Sequence, residues 1–331
     1  MSVEPTATIV EPSAAPDNAP DRPPLRVLLA APRGFCAGVD RAIRVVEEAL
    51  RRYGAPVYVR HEIVHNRTVV EQLEARGAVF VVQLDAVPAG GMVVFSAHGV
   101  PKAVPDQARQ RALPFIDAAC PLVSKVHREA ERHFLAGRHV LMIGHAGHPE
   151  VEGTMGQLPP GAMTLVQDAD EARRVAPPAG ALAFITQTTL SVDDASAIVA
   201  VLRGRFPAIF GPQREDICYA TTNRQAAIKA IAAEADLVLV IGSANSSNSQ
   251  RLREVAERCG GCRALLLPRP ELLDWSALEG VEVLGVSAGA SAPEQLVEAL
   301  LGRLAGRFAL TIEERRVVNE DVVFRLPAPL A

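Results

Sequence analysis

The 331-residue sequence is poor in aromatic residues, which make up 4% of it and include a single tryptophan. Apolar residues nevertheless reach 49%, so a buried core has to be built mainly from aliphatic side chains. An excess of basic charge is also missing, because 34 lysines and arginines face 38 acidic residues and leave a net charge of −4. This balance argues against a general nucleic-acid-binding protein.

Long hydrophobic runs are absent as well. No apolar stretch approaches the roughly 18 residues of a membrane span, and the N-terminus lacks the basic and apolar regions of a secretory signal. The five cysteines are an odd number and too few for a disulfide scaffold. We therefore expect a cytoplasmic protein that binds no membrane, whose reduced thiols are candidates for metal binding or catalysis.

Several familiar motifs are missing or incomplete. Without a GxGxxG or Walker A sequence, neither a nicotinamide-binding Rossmann domain nor a P-loop nucleotide hydrolase is indicated. His61-Glu62-Ile-Val-His65 matches the HExxH motif of zinc peptidases, but its flanks predict a helix only from about Asn66 onward. The GxSxG motif around Ser287 has no later histidine to serve as its base, so we interpret it as a strand-to-helix turn.

The chain alternates between two kinds of apolar pattern. Residues 1–24 contain six prolines and are predicted to form a disordered leader. From Leu25 onward, short β-rich runs alternate with helical runs, which predicts an α/β fold with mainly parallel sheets. A terminal strand or tail is expected at 316–326. The strand candidates include 27–30, 79–82, 92–95, 140–143, 182–185, 237–241 and 281–286.

Three cysteines lie roughly a third of the chain apart. Cys36, Cys120 and Cys218 each follow an extended segment and open a predicted helix, where the helix N-terminus favours negative charge. This placement indicates a weak threefold repeat, with α/β domains at 25–118, 119–213 and 214–306 and a C-terminal strand or tail at 307–331. Three thiolates can hold a four-iron cluster while leaving one iron without a protein ligand.

Polar residues follow other predicted strands, and ligands of open α/β sheets bind at such strand ends. Ser246, Ser247 and Asn248 stand at the start of a helix predicted over 250–258, an arrangement suited to phosphate. His65 and His98 could add charge-assisted donors. The pair Cys259 and Cys262 is interpreted as two incidental thiols at a helix end.

Eight stretches together resemble the LytB family of 4-hydroxy-3-methylbut-2-enyl diphosphate reductases, over roughly residues 26–326. They are APRGFCAGV at 31–39, EIVHN at 62–66, SAHGV at 96–100, ACPLV at 119–123, GHPEVEGTMG at 147–156, TQTTLSV at 186–192, DICYATTNRQ at 216–225 and NSSNS at 245–249. The resemblance implies the last step of the methylerythritol phosphate route to isoprenoids, in which an allylic hydroxyl is removed reductively to give isopentenyl and dimethylallyl diphosphate.

The resemblance also implies a fold and a site. It implies three similar α/β domains in a pseudo-threefold trefoil around a central [4Fe–4S] cluster, held by Cys36, Cys120 and Cys218 with one iron left open. Glu150, helped by Thr188 and His148, would deliver the proton, and flavodoxin or ferredoxin would supply electrons. The residues implied in substrate binding are His65, His98, His148, Thr188, Ser246, Ser247, Asn248 and Ser291.

Two other functions remain open from the residues alone. An iron–sulfur sensor or electron carrier could use the same three thiols, but it would need no diphosphate site. A zinc hydrolase is the competing enzyme, and metal analysis would separate it from an iron–sulfur protein.

Overall fold

The computed structural model describes residues 6–10, 22–328 and 330, and most of this chain alternates between strands and helices. The strands are β1 (Thr6–Val10), β2 (Pro24–Ala31), β3 (Val57–Arg60), β4 (Ala78–Val81), β5 (Val93–Phe95), β6 (Phe115–Asp117), β7 (His139–Ile143), β8 (Met163–Val166), β9 (Leu182–Thr186), β10 (Leu237–Ile241), β11 (Arg263–Leu267), β12 (Val283–Ala288) and β13 (Ala309–Arg316).

Helices follow most of these strands, and short 3-10 helices occur at 84–86, 270–272 and 275–278. The α-helices are α1 (Ala37–Tyr53), α2 (Arg67–Glu74), α3 (Ala103–Gln110), α4 (Pro121–Leu135), α5 (Pro149–Met155), α6 (Ala169–Arg174), α7 (Val192–Arg205), α8 (Tyr219–Ala232), α9 (Ser247–Gly260) and α10 (Glu294–Ala305). Among the described residues, no helix is both long and apolar enough to cross a bilayer.

The chain divides into two compact units. The first runs up to Cys36 and resumes over Tyr219–Val322, and the second comprises Ala37–Cys218 and the segment from Val323 onward. The first unit contains one six-stranded sheet in the order β1-β13-β2-β12-β10-β11. Its pairs are parallel except for β1, which runs antiparallel to β13.

Strand β10 shows why this sheet is buried on both faces. Its sequence LVLVI is inaccessible to solvent along its whole length, as expected for a central strand of a parallel sheet. Leu237 and Leu239 point into a core that includes Leu300 of α10. Val238 packs on the opposite face in a core that includes Ile228 of α8. Successive side chains of β10 thus pack against helices on opposite faces of the sheet.

The second unit contains two smaller sheets. One has the order β4-β3-β5-β6 and the other β8-β7-β9, and each of their strand pairs is parallel. The predicted α/β fold with mainly parallel sheets is therefore confirmed. In both sheets the strands end at loops that carry predicted site residues, including His98 after β5 and Thr188 after β9.

The sheets do not follow the three predicted linear domains. Strand β2 falls inside the predicted domain 25–118, yet it pairs with β12 on one edge and β13 on the other. Its side chains are almost all buried, so it needs neighbours on both edges, and these come from the far end of the chain. The C-terminal strand lies at 309–316, whereas 317–326 has no regular secondary structure.

Part of the predicted leader is ordered. Residues 6–10 form β1, because the exposed backbone groups along the edge of β13 can pair with this β-prone segment. Disorder was therefore the wrong prediction for these five residues, and β2 already begins at Pro24. The same prediction for 1–5 and 11–21 lies outside the described residues.

Candidate active site

Each of the three predicted cysteine ligands is the residue directly before a helix. Cys36 precedes α1, Cys120 precedes α4 and Cys218 precedes α8, and all three are half-buried. The first N–H groups of a helix have no partner within it and favour negative charge at this point. The prediction that each cysteine opens a helix is confirmed, and these positions suit thiolates.

A buried carboxyl lies next to Cys218 along a short hydrogen-bonded path. The Cys218 N–H donates to the Thr188 carbonyl at 3.0 Å. Thr188 in turn donates its backbone N–H and its hydroxyl to the two carboxyl oxygens of Glu150, at 2.6 and 2.9 Å. Burial raises the pKa of Glu150 to about 7, although both Thr188 hydrogen bonds act to lower it. Glu150 can therefore hold and give up a proton near neutral pH.

Three histidine rings meet in the same unit. His65 and His98 stack with their centroids 4.1 Å apart, and His148 meets them edge-on at 5.6 and 5.8 Å. His148 caps α5 by accepting the Glu150 N–H at Nδ1, at 3.1 Å, so its neutral ring carries the proton on Nε2. The rings offer N–H donors to one small region.

Burial decides the charge of two of these rings. It lowers the pKa of His148 to about 3 and holds the pKa of His98 well below its usual range. Burial by itself therefore favours the uncharged imidazole at His98. A buried anion placed against these rings would raise both pKa values.

The turn that carries His98 is attached to the start of α4. The Cys120 N–H donates to the carbonyl of Ala97 at 2.9 Å. Gly99 adopts a φ of +76°, and a Cβ there would lie 2.6 Å from the His127 ring on α4. Only glycine fits this turn without strain, and the hydrogen bond from Cys120 holds the residue before His98 against the start of α4.

In the first unit, hydrogen bonds connect Cys36 to the predicted diphosphate residues. The Cys36 N–H donates to the carbonyl of Ala290 at 3.3 Å, and the Ala290 N–H donates to Oδ1 of Asn248 at 2.9 Å. Ser291 is the next residue and is buried. Ser246 caps α9 through Ser249, and Ser247 is its first residue. The polar groups therefore gather where β2, β10 and β12 end.

The side-chain amide of Asn248 has a buried N–H donor that the described residues do not use. Its Nδ2 is buried and has no hydrogen-bond partner among the residues that the structure describes. An unmet buried donor costs about 1–3 kcal/mol, so such a group is expected to meet an acceptor on a ligand. At the N-terminus of α9, that acceptor is most favourable when it is anionic.

Two glycines make room for the start of α9. A Cβ on Gly242, after β10, would lie 2.2 Å from Oγ of Ser249, and a Cβ on Gly289, after β12, would lie 2.0 Å from the same atom. Both distances are far shorter than a non-bonded contact of a Cβ atom with another heavy atom. The close approach of α9 to these two strand ends therefore depends on glycine at both positions.

The structure also tests the motifs that the sequence analysis set aside. His61 and His65 precede α2 in a loop, so the HExxH sequence is not presented on a helix. Among residues 6–10, 22–328 and 330, no three His, Cys, Asp or Glu side chains are grouped to hold one metal ion. Thiolates that each bind a different iron of a cluster stand further apart, so this finding concerns mononuclear sites only.

Gly285 and Ser287 lie within β12 instead of in a turn, so our interpretation of GxSxG as a turn was wrong for these residues. The strand continues because Ala288 still pairs with Ile241 of β10. Cys259 lies in the last turn of α9, and Gly261 caps the helix in the left-handed conformation, as the predicted helix end requires.

Each unit thus brings its own predicted residues together, in one case around Glu150 and in the other around Asn248. The second unit holds Cys120, Cys218, His65, His98, His148, Glu150 and Thr188, and the first holds Cys36, Ser246, Ser247, Asn248 and Ser291. No role was predicted for Arg41, Lys125 and Arg224. The available signal was their spacing, since each stands five or six residues after one of the three cysteines.

Comparisons with known proteins agree with one another. The family model described as LytB protein matches residues 27–305. A relative from Gluconobacter oxydans (strain 621H), named 4-hydroxy-3-methylbut-2-enyl diphosphate reductase, is 74% identical over 312 residues, 93% of each chain. A relative of the same name from Phenylobacterium zucineum (strain HLK1) is 63% identical over 94% of this chain and 99% of its own.

Among solved structures, the E-1-hydroxy-2-methyl-but-2-enyl-4-diphosphate reductase of Plasmodium falciparum is similar, with a TM-score of 0.87 and 35% identity. The similarity covers 94% of this chain and 97% of that one. The family match, the relatives and the fold all extend over most of the described chain. The chain therefore belongs to the LytB protein family.

Proposed function

We propose that the protein is a 4-hydroxy-3-methylbut-2-enyl diphosphate reductase. It would remove the hydroxyl of (E)-4-hydroxy-3-methylbut-2-enyl diphosphate and form isopentenyl and dimethylallyl diphosphate, the last step of the methylerythritol phosphate route. Two electrons and two protons enter, and the hydroxyl leaves as water. Membership of the LytB family supports this reaction, since relatives that match over more than nine-tenths of their length carry the name.

Cys36, Cys120 and Cys218 would hold a [4Fe–4S] cluster as thiolates, with one iron lacking a protein ligand. The donor set fits, because the three thiols are soft, half-buried and placed at helix N-termini. When bound, such a cluster supplies electrons and an open Lewis-acid position for the substrate oxygen. Flavodoxin or ferredoxin would be the electron donor.

The cytoplasm is the proposed location. All five cysteines lie in the described part of the chain, and none is in a disulfide. Thiols of this kind persist where the compartment is reducing.

The observation that carries the proposal is the buried Glu150 carboxyl, held by Thr188 beside Cys218. Hydroxide leaves poorly, so the C–O bond breaks more readily if a proton reaches the departing oxygen, and general-acid help is worth about 10²–10⁴ in rate. A pKa of about 7 keeps that proton available. Thr188 fixes both carboxyl oxygens, and His148 holds the first turn of α5, on which Glu150 lies.

The substrate's diphosphate would be bound by hydroxyl, amide and imidazole donors. Asn248 offers its unmet buried N–H, and the start of α9 adds backbone N–H groups. The remaining proposed contacts to the substrate are the hydroxyls of Ser246, Ser247, Ser291 and Thr188 and the rings of His65, His98 and His148.

Anaerobic purification followed by iron, sulfide and zinc analysis and by turnover tests the proposal. We expect about four irons and four sulfides per chain and conversion of the allylic diphosphate when a reduced dye supplies electrons. An iron protein that neither binds nor converts the diphosphate would instead be an electron carrier or sensor. A zinc protein that hydrolyses its substrate would contradict the reductase assignment outright.

A further inference from the structure

Three cations on the helices that follow the cysteines share one arrangement. Arg41 of α1 and Lys125 of α4 each stand five residues after a cysteine, and Arg224 of α8 stands six residues after one. Each side chain donates hydrogen bonds to two consecutive backbone carbonyls. In every case those carbonyls belong to the segment that leads into a different cysteine.

Arg41 contacts the segment before Cys120. Its Nη1 donates to the carbonyls of Ala118 and Ala119, at 3.2 and 3.0 Å. Its Nε donates to the carbonyl of Arg325 at 2.8 Å, and the side chain is buried. The guanidinium therefore spans the two residues directly before the thiol.

Lys125 contacts the segment before Cys218. Its Nζ donates to the carbonyls of Arg214 and Glu215, at 2.6 and 2.9 Å, and to Oδ1 of Asp216 at 2.8 Å. One ammonium thus fixes three consecutive residues of this segment.

The same carboxyl extends the contact to the neighbouring sheet. Oδ2 of Asp216 accepts the N–H of Thr186, at the end of β9, at 3.0 Å. Lys125 and Asp216 therefore connect the first turns of α4 to the strand that leads to Thr188.

Arg224 contacts the segment before Cys36. Its Nε and Nη2 donate to the carbonyl of Gly34 at 3.0 and 2.8 Å, and Nη2 also donates to that of Phe35 at 3.1 Å. The side chain is completely buried and forms an ion pair with Glu320 at 3.1 Å. Its charge is thus balanced, while its fork holds the residues just before the thiol.

We infer that Arg41, Lys125 and Arg224 form a cyclic set of positioning residues, in which the helix after each cysteine fixes the segment that presents the next one. The helix after Cys36 holds the approach to Cys120. The helix after Cys120 holds the approach to Cys218, and the helix after Cys218 holds the approach to Cys36. This inference rests on the proposed function, because it takes the three thiols to be the cluster ligands.

The physical basis is the cost of leaving loop carbonyls without partners. These carbonyls lie outside sheets and helices, so they have no partner in a strand ladder or a helical turn and need another donor. A charged donor makes a stronger bond to a carbonyl than a neutral one does.

Backbone amide exchange of the metal-free protein tests the set without any need for activity. In Lys125→Met we expect exchange to rise about tenfold across 212–218, the scale of one charge-assisted hydrogen bond. Segments 32–36 and 115–120 should keep their wild-type rates. The matched control is Lys102→Met. This change removes the ion pair between Lys102 and Glu131, a residue of α4 like Lys125, but it leaves every carbonyl before a cysteine with its partner.

Two further variants are expected to speed amide exchange in the other two segments. Arg41→Lys keeps the charge but loses the fork, so faster exchange should appear in 115–120 alone. Arg224→Lys should show it in 32–36 alone, and both variants decide the question if Lys125→Met does not fold. Faster exchange spread evenly over all three segments, or no change in any of them, overturns the inference.

Iron retention separates this inference from the proposed function. With reconstituted protein, iron release to a chelator should be about tenfold faster from Lys125→Met than from Lys102→Met. A wild-type protein that takes up no iron contradicts the proposed function and leaves the exchange result standing. A wild type that keeps iron, with Lys125→Met releasing it at the control rate, contradicts the positioning set alone.

Discussion

Glu150 is the side chain of the second unit to which we assign the proposed proton transfer. Its burial would make a carboxylate costly, and the two donors from Thr188 offset only part of that cost, which is why its pKa reaches about 7. The residue could be proposed as the proton donor from its motif. Its pKa could not, because burial depends on packing between segments that are distant in sequence.

Glu150→Gln should keep the fold and the iron but lose most of the turnover. The amide preserves size and can still accept from Thr188, yet it has no proton of suitable pKa to give, so kcat should fall about 10²–10⁴-fold. Steady-state kinetics with a reduced dye and an iron assay measure both properties. Glu152→Gln, an exposed neighbour on α5, is the control and should behave as wild type. Full activity of Glu150→Gln with intact iron would remove Glu150 from the mechanism.

Asn248→Asp should weaken binding of the substrate's diphosphate. The change replaces an unmet N–H donor with a negative charge at a buried position, so KM should rise on the order of 10–100-fold, with a smaller effect on kcat. Titration with inorganic diphosphate checks the affinity directly. Gln250→Glu adds the same charge in the same turn of α9 and serves as the control, and equal losses in both variants would show that Asn248 makes no specific contact.

At the scale of elements, the strand ends decide where the polar residues meet. Strand β10 was predicted with its observed bounds, since five consecutive apolar residues flanked by polar ones leave little choice. The strand predicted at 281–286 lies at 283–288, because its pairing with β10 and β2 sets its ends. The extended segment expected before Cys120 contains β6, whereas the half-exposed β11 was not predicted, because its sequence RALLL shows no alternation of apolar and polar residues.

Gly289→Ala should destabilise the junction between β12 and α9 by about 1–3 kcal/mol, since the new methyl would overlap Oγ of Ser249. Adding Ser249→Ala should recover part of this loss, because the nearest remaining atom is then the Ser249 Cβ at 3.1 Å. Denaturant unfolding of the single and double variants measures the coupling.

Gly242→Ala is the contrasting case. There the Ser249 Cβ itself would lie 2.5 Å from the new methyl, so Ser249→Ala should give little recovery. Equal recovery at both glycines would mean that the junction relaxes in some other way than the described packing implies.

At the scale of the whole molecule, the fold class followed from the alternation of strands and helices, but the grouping of strands did not. Nothing in the apolar run of β2 indicates that β12 and β13 are its neighbours, because strand pairing at long range leaves no local pattern. The same holds for Arg41, Lys125 and Arg224. Their spacing after the cysteines is visible in the sequence, but the carbonyls that they bind become apparent only after folding.

The protonation of Glu150 should also appear in the pH dependence of global stability. Folding raises its pKa from 4.5 to about 7, so the folded state binds this proton more tightly and loses stability as the pH rises through that window. Glu150→Gln lacks the effect. Its free energy of unfolding relative to wild type should therefore increase by on the order of 3 kcal/mol between pH 4 and pH 8.

Denaturant titrations of the two metal-free proteins at several pH values measure this difference, and contributions from the buried histidines cancel in the comparison. A difference that stays constant across the window would show that Glu150 ionises normally in the folded protein.

The position of β2 between β12 and β13 has a consequence for biogenesis. Cys36 leaves the ribosome early, but the residues that hold its segment, Arg224 and Ala290, are translated much later. Cys36 therefore follows a nascent strand, β2, that has no pairing partner until synthesis is nearly finished. The proposed cluster would therefore be loaded only after most of the chain has been synthesised.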